Sequence, residues 1–328
     1  MASSTETFVS AQLGTRRAKL KAAIEEVGES PHLTHLLQEV DAALGRIQNG
    51  TYGLCEACQE SIEEDRLMAD PLICFCLDHL TTNQQRALEQ DLELASQIQR
   101  GLLPKRHVTL NGWEVYYHYE PAGPVSGDYC DLMDAGSESG DLYFLLGDVV
   151  GKGVAASMLM ANLHAIFRSL VAGGVPANHL AERANRVFCE STMATYFATL
   201  VCGRAARDGK VEICNAGHCP PLWVQDGKVT SIDATGLPIG MFSNGQYSAK
   251  TVQLAKGESL FMYTDGLVEA RNASDAEYGT TRLAGLLAKH HALSPQELAE
   301  AGRQDLKAFL SGAAKTDDLT MMAIRRVE

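Results

Sequence analysis

Positive charge is in short supply. In 328 residues, 28 lysines and arginines face 41 aspartates and glutamates, leaving a formal charge of -13. Such a surface repels phosphate backbones and argues against direct nucleic-acid binding or an anionic membrane partner. The start of the chain, MASSTETFVSAQLG, has no basic residues followed by an apolar stretch, so it does not read as a secretory leader. No long apolar run is free of polar residues. The longest, from Gly153 to Val175, contains Asn162, His164 and Arg168, and reads as a helix with one buried face, not a membrane span. No repeat or low-complexity tract occurs. An even set of cysteines is lacking too: there are nine, with four falling between Cys55 and Cys76 and the others scattered through apolar segments. That distribution excludes a disulfide framework and fits a reduced compartment, the cytoplasm, with one metal cluster.

What is present divides the chain into four stretches: 1–50, 51–80, 81–107 and 108–328. In the first, Leu33, Leu36, Leu37, Val40, Leu44 and Ile47 form one apolar stripe at helical spacing, and Gly28 with Ser30-Pro31 breaks the pattern before it. Two helices packed as an antiparallel hairpin follow from this. Residues 51–80 are too poor in large apolar side chains to build a core, so a metal staple is expected. From Leu80 to Leu103, Leu88, Leu92, Ala95, Ile98 and Leu102 make a seam of coiled-coil type that could join two copies of the chain, and Pro104 stops it. Beyond Val108, strands are expected over 113–119, 127–134, 141–148, 196–204, 210–215, 258–264 and 319–326, and helices over 154–171, 177–192, 280–289 and 295–310. Strands in consecutive pairs, and helices in pairs, predict two antiparallel sheets flanked by helices: an α+β fold.

Cys55-Glu-Ala-Cys58 is one metal half-site and Cys76-Leu-Asp-His79 a second, seventeen residues further on. Thiolate sulfur and imidazole nitrogen are the ligands of tetrahedral zinc, and a closed set of four is structural, not catalytic. Cys74 competes with these residues for the fourth position. The stretch from Tyr52 to Cys58, with Ile62, Arg66-Leu67, Pro71, Cys76 and His79, resembles the DksA/TraR-type zinc finger. It differs in having His79 where that family usually has its last cysteine. Some members of that family act at RNA polymerase, so a polymerase contact is one implication of the resemblance.

In the long C-terminal stretch, carboxylates sit where apolar strands meet turns: Asp128, Asp148, Asp265 and the pair Asp317-Asp318. Each alone reads as a turn residue. Brought together they would repel one another unless cations neutralised them, and hard divalent ions prefer such oxygen ligands. The glycine-rich run Gly147-Asp-Val-Val-Gly-Lys-Gly153 has the wrong spacing for a P-loop or a dinucleotide-binding turn, so it does not bind nucleotide. His218-Cys219 suggests a cysteine phosphatase, but the arginine that chemistry needs six positions on is replaced by Gln225. His218 reads as a packing residue, with a general acid as the alternative, and Lys152 as a solvated loop lysine, with attraction of phosphate as the alternative.

The ordered series Gly127-Asp-Tyr-Cys-Asp131, Gly147 to Gly153, Asn215-Ala-Gly-His-Cys-Pro-Pro-Leu222, Gly236-Leu-Pro-Ile-Gly240, Tyr263-Thr-Asp-Gly-Leu-Val-Glu-Ala270 and Asp317-Asp-Leu-Thr320 resembles SpoIIE/RsbU-type serine phosphatases of the metal-dependent PPM superfamily. The run from Ala95 to Pro104 resembles the helix that precedes such domains. Val150 and Cys219 depart from the usual pattern. The resemblance implies a four-layer α-β-β-α sandwich and a site for two Mn²⁺ or Mg²⁺ ions. Asp148 would bridge both ions and the Val149 carbonyl would bind one. Asp265 and Asp317 would hold an ion, and Asp128 would act at the other directly or through water. It further implies hydrolysis of phosphoserine or phosphothreonine on a regulatory protein, an anti-sigma factor antagonist of the STAS kind. The competing expectation is a polymerase-binding regulator built on a degenerate phosphatase scaffold.

Overall fold

The computed structural model describes residues 4–28, 30–79, 82–134, 140–171, 174–313 and 315–328, and these fall into two compact units divided between residues 90 and 91.

In the first unit, helix α1 (Ser4–Val27) and helix α2 (Pro31–Gln48) form the expected hairpin. Ser30 caps α2 by accepting the Leu33 N–H at 3.2 Å, and Pro31 in the first turn gives up a donor that would have no partner. Val40 and Ala43 are fully buried against Val9 and Leu13, with Leu20, Leu44 and Ile47 at the margin. Past Gly50, a cysteine-bearing loop region holds only the short helix α3 (Glu64–Ala69) and a 3-10 turn, Leu77–His79. Helix α4 (Thr82–Leu102) runs across the division between the units. Of the seam expected along it, Leu88 and Ile98 are exposed, Leu92 and Ala95 are half-buried and Leu102 packs against the core of the second unit, while the buried side chains of its last turns are the polar Ser96 and Gln99.

The second unit contains two antiparallel sheets. One has the order β1-β2-β11-β10-β7-β8, built from His107–Leu110, Trp113–Glu120, Leu319–Arg326, Ser259–Tyr263, Leu222–Val224 and Val229–Ser231. The other has the order β3-β4-β5-β6-β9, built from Asp128–Asp134, Leu142–Val149, Ala198–Ala205, Lys210–Ala216 and Lys250–Gln253. Strand β4 shows why the layers form. Its alternate residues Leu142, Phe144 and Leu146 face the other sheet, while Tyr143 and Leu145 face helices α5 (Gly153–Val171) and α6 (Ala177–Ser191). Both faces are apolar, so both must be covered. On the far side, Phe261, Tyr263, Met321 and Ala323 pack against α8 (Thr280–Lys289) and α9 (Pro295–Leu310) through Leu283, Leu287, Leu298 and Leu306. The result is the four-layer α-β-β-α sandwich. Ser294 and Glu297 form a full capping box at the start of α9.

Helix α5 is long and apolar enough to cross a membrane by composition. In the fold it buries Ala156, Met160, Leu163, Ile166, Phe167 and Val171, as a one-faced helix should. Sequence periodicity misses the three- and four-residue strands β1, β7, β8 and β9, which are too short to carry a pattern. It also places Asp265 at a strand end; β10 stops at Tyr263, and Asp265 opens the one-turn helix α7 (Asp265–Val268).

Candidate metal centres

The acidic residues meet at the seam between the two sheets. Asp128 begins β3 and Asp148 nearly ends β4, and the two are directly paired in the ladder. Both belong to the five-stranded sheet. Asp265 follows β10, and Asp317-Asp318 lead into β11, so these three arrive from the six-stranded sheet. Their charges bear on one another. The Asp148 carboxyl is pushed up to about 7, first by burial and then by Asp265, Asp317 and Asp318, with Lys152 opposing. Asp265 is also raised, by burial and then by Asp317, although the Gly266 N–H pulls the other way. Lys152 reaches the site from the glycine-rich loop: its ammonium lies 3.0 Å from Asp317 Oδ1 and donates to the Thr316 carbonyl at 3.0 Å. It is therefore an ion-pair partner and not simply a solvated lysine.

Asp128 is placed differently from the others. It is fully buried, and its Oδ2 accepts hydrogen bonds from the hydroxyls of Thr264, at 3.1 Å, and Thr320. Burial, and then Asp148, hold its carboxyl well above the ordinary range. Its bonds cross from β3 to Thr320 in β11 and to Thr264 just past β10 of the other sheet, so Asp128 is a cross-sheet tie as well as a member of the acidic group. Asp318 has its own task. It accepts the Ala122 N–H at 2.7 Å and the Gly127 N–H at 3.0 Å, which fixes the loop that leads into β3. Thr264 and Thr320 both fall inside the motif series, but nothing in the sequence gives either of them a role at Asp128.

Two glycines make the approach possible. A Cβ on Gly127 would lie 3.0 Å from the Val149 carbonyl oxygen and 3.2 Å from Asp148 Oδ1, so glycine keeps both oxygens uncovered. A Cβ on Gly266 would collide with the Asp318 carbonyl. Nearby, burial lowers the His218 imidazole to about 4, so it is neutral at pH 7 and not in the imidazolium form that acts as a general acid. Burial, followed by Asp265, Glu269 and Asp148, pushes the Cys219 thiol up to about 12, which removes it as a nucleophile.

The second cluster lies in the N-terminal unit. Cys55, Cys58, Cys76 and His79 each offer a ligand atom, all within 4.8 Å of one another. Cys58 Sγ and Cys76 Sγ are 3.8 Å apart, and Cys76 Sγ is 3.1 Å from His79 Nδ1. A tetrahedron with zinc–sulfur bonds of about 2.3 Å has an edge of about 3.8 Å, so the donors present fit zinc. Burial pushes the Cys55 thiol up, but main-chain N–H groups of Cys76, Cys58 and Ala57 outweigh it and bring it down to about 6. Cys74 stands outside the group, and its carbonyl accepts the Glu56 N–H at 2.9 Å.

Comparison with known proteins places these findings. The Stage II sporulation protein E (SpoIIE) family model matches residues 138–327. Protein IcfG of Synechocystis is 27% identical over 265 residues, covering 72% of this chain but 41% of its own length. Phosphoserine phosphatase RsbU of Bacillus subtilis is 24% identical over 245 residues, covering 74% of this chain and 72% of RsbU. Among solved structures, the SiaA-PP2C domain of Pseudomonas aeruginosa superposes with a TM-score of 0.65 at 22% identity, over 74% of this chain and 97% of that one, and shares the fold.

Proposed function

The chain belongs to the Stage II sporulation protein E (SpoIIE) family, and from that premise we propose that it is a metal-dependent protein serine/threonine phosphatase. The carrying observation is the convergence of Asp148, Asp265 and Asp317 from distant segments into one mutually repelling group. An oxygen-only donor set of this charge fits hard divalent cations, and Gly127 leaves the Val149 carbonyl free to join it. Asp148, Asp265, Asp317 and the Val149 carbonyl would hold two Mn²⁺ or Mg²⁺ ions, with Asp128 acting at one of them. Bound ions would supply positive charge against the phosphate and lower the pKa of a water so that it can lose a proton and attack phosphorus near neutral pH, as the bond from phosphorus to the serine or threonine oxygen breaks. The remaining residues shape the site. Asp128 ties the sheets together, Asp318 fixes the entry loop, and Lys152 offsets part of the acidic charge. Neither the Cys219 thiol nor the His218 imidazole is in a state to form a covalent intermediate or act as a general acid, which favours direct attack by water over a phosphoenzyme.

The names of the relatives support the substrate class. RsbU and RsbP of Bacillus subtilis are named phosphoserine phosphatases, and a Mycobacterium tuberculosis protein carries RsbU and RsbW domains in one chain. A phosphorylated regulatory protein in the cytoplasm, an anti-sigma factor antagonist of the STAS kind, is the substrate this reading assigns. The zinc finger and helical hairpin would regulate or assemble the enzyme, with the exposed Leu88 and Ile98 of α4 offered for pairing two copies. A polymerase-binding scaffold without activity would not need the complete acidic set.

The test is turnover of p-nitrophenyl phosphate and a phosphoserine peptide in Mn²⁺. Loss of activity in Asp148→Ala and Asp265→Ala is the expected result. Rates equal to wild type in both variants reject the assignment.

A further inference from the structure

A phosphoserine hydrolysed beside Asp317 arrives on a polypeptide, and the residues next to it must lie against the surface around that site. One cavity there, of about 240 Å³, is lined by Asp317 and Gly266 together with Glu269, Arg271, Leu310 and Lys315. A second, of about 320 Å³, is lined by Leu306, Leu310 and Leu319, with Arg303, Lys307 and Lys315 around them and Glu120 as the one acid. Leu310 and Lys315 border both cavities. The two therefore make one groove, which begins at the acidic site and follows the last turns of α9.

The second cavity has mixed chemistry. Leu306 and Leu319 are buried in the core between α9 and β11 and form its floor, whereas Leu310 is only half-buried and leaves apolar surface uncovered. Two of its cations are already engaged. Arg303 donates to both Glu300 oxygens, at 2.7 and 2.9 Å, and Lys315 lies 3.2 Å from Glu120 Oε1 and donates to the Glu120 carbonyl at 2.6 Å. Lys307 is exposed and is in no ion pair among the described residues. In a chain of formal charge -13, three cations around one carboxylate reverse the prevailing sign, and such a rim favours an acidic occupant.

We propose that this groove binds the segment flanking the phosphorylated residue of the substrate protein: an apolar side chain of that segment enters the second cavity over Leu310, and a carboxylate beside it pairs with Lys307. The inference rests on the phosphatase reading above and adds the sequence preference which that reading leaves open. Cavities of these volumes are each about 6–7 Å across, so at about 3.3 Å per extended residue the apolar side chain falls within roughly five positions of the phosphoserine.

The test is kcat/KM of the full chain, in saturating Mn²⁺, on a set of phosphoserine peptides. A Leu-Glu pair is stepped through the five places on either side of the phosphoserine in an otherwise alanine and glutamine background. At least one placement is expected to raise kcat/KM by about tenfold or more over the background peptide, chiefly through KM, as burial of one leucine side chain allows. Lys307→Glu should abolish most of that gain and restore it for a Leu-Lys pair at the same place, an exchange that a purely structural lysine would not show. Leu310→Gln should reduce the gain as well. Neither variant should alter turnover of p-nitrophenyl phosphate, which is too small to reach the second cavity. A flat response to every placement in wild type overturns the proposal, and so does a full gain in Lys307→Glu. If Leu310→Gln does not fold, the charge exchange at Lys307 decides it. In both of those overturning results turnover of p-nitrophenyl phosphate leaves the phosphatase reading standing. A wild-type chain that hydrolyses neither p-nitrophenyl phosphate nor any peptide overturns that reading, and with it this one.

Discussion

Asp148→Asn gives the most direct measure of the strain in the acidic site. The substitution keeps the shape of the side chain and removes its charge. In the folded, ion-free chain the carboxyl lies at about 7 instead of 3.8. At about 1.4 kcal/mol for each pH unit, the ionised form carries a penalty of up to about 4 kcal/mol. The pH window follows from the sign. Below pH 3.8 the group is protonated whether the chain is folded or unfolded, so it has no effect on stability. Between 3.8 and about 7 the unfolded chain ionises and the folded chain does not, so stability falls as pH rises. Above about 7 the full penalty is present. Asp148→Asn should therefore stabilise the ion-free protein at pH 8, raising its melting temperature by up to about 10 °C, and should do so much less at pH 4.5. Tryptophan fluorescence is a suitable readout, because the two tryptophans, Trp113 and Trp223, both lie in the second unit. Melting in chelator thus follows that unit whatever happens to the cysteine-histidine cluster. Saturating Mn²⁺ should stabilise wild type at pH 8 and have little effect on the variant. A variant that is less stable than wild type at pH 8, or whose gain is equal at both pH values, would refute the electrostatic account.

Three further outcomes are expected. Elemental analysis should find about one zinc per chain, lost in Cys55→Ala/Cys58→Ala and kept in Cys74→Ala, since Cys74 stands outside the ligand group. Arg168 holds the fully buried Asp131 by two hydrogen bonds of 2.6 and 2.8 Å, so Arg168→Met should lower the denaturation free energy. The loss should be on the order of 2 kcal/mol, short of the figure for a fully enclosed pair because the guanidinium is partly in water. Gly266→Ala forces a methyl group against the Asp318 carbonyl and should cut turnover by on the order of 100-fold, while tryptophan-monitored stability falls by only about 1–3 kcal/mol.

Much of this protein could be read without coordinates. Continuous apolar runs such as Leu142 to Val149 marked the long strands, because such a strand is buried on both faces. Ser294-Pro295-Gln296-Glu297 marked the start of α9, because a capping box is a purely local arrangement. The C-x-x-C and C-x-x-H half-sites named their own cluster, since ligand spacing is also local. The strand-end aspartates, with the glycines beside them, named the acidic group. What the chain could not state by itself was which residues touch across the two sheets. Thr264 and Thr320 around Asp128, and Asp318 on the Gly127 amide, are pairings separated by 136 to 192 residues. No periodicity or spacing encodes such contacts. They come into being only when the packing of two sheets brings their strand ends together, and that packing is set by the whole core at once, not by any one segment.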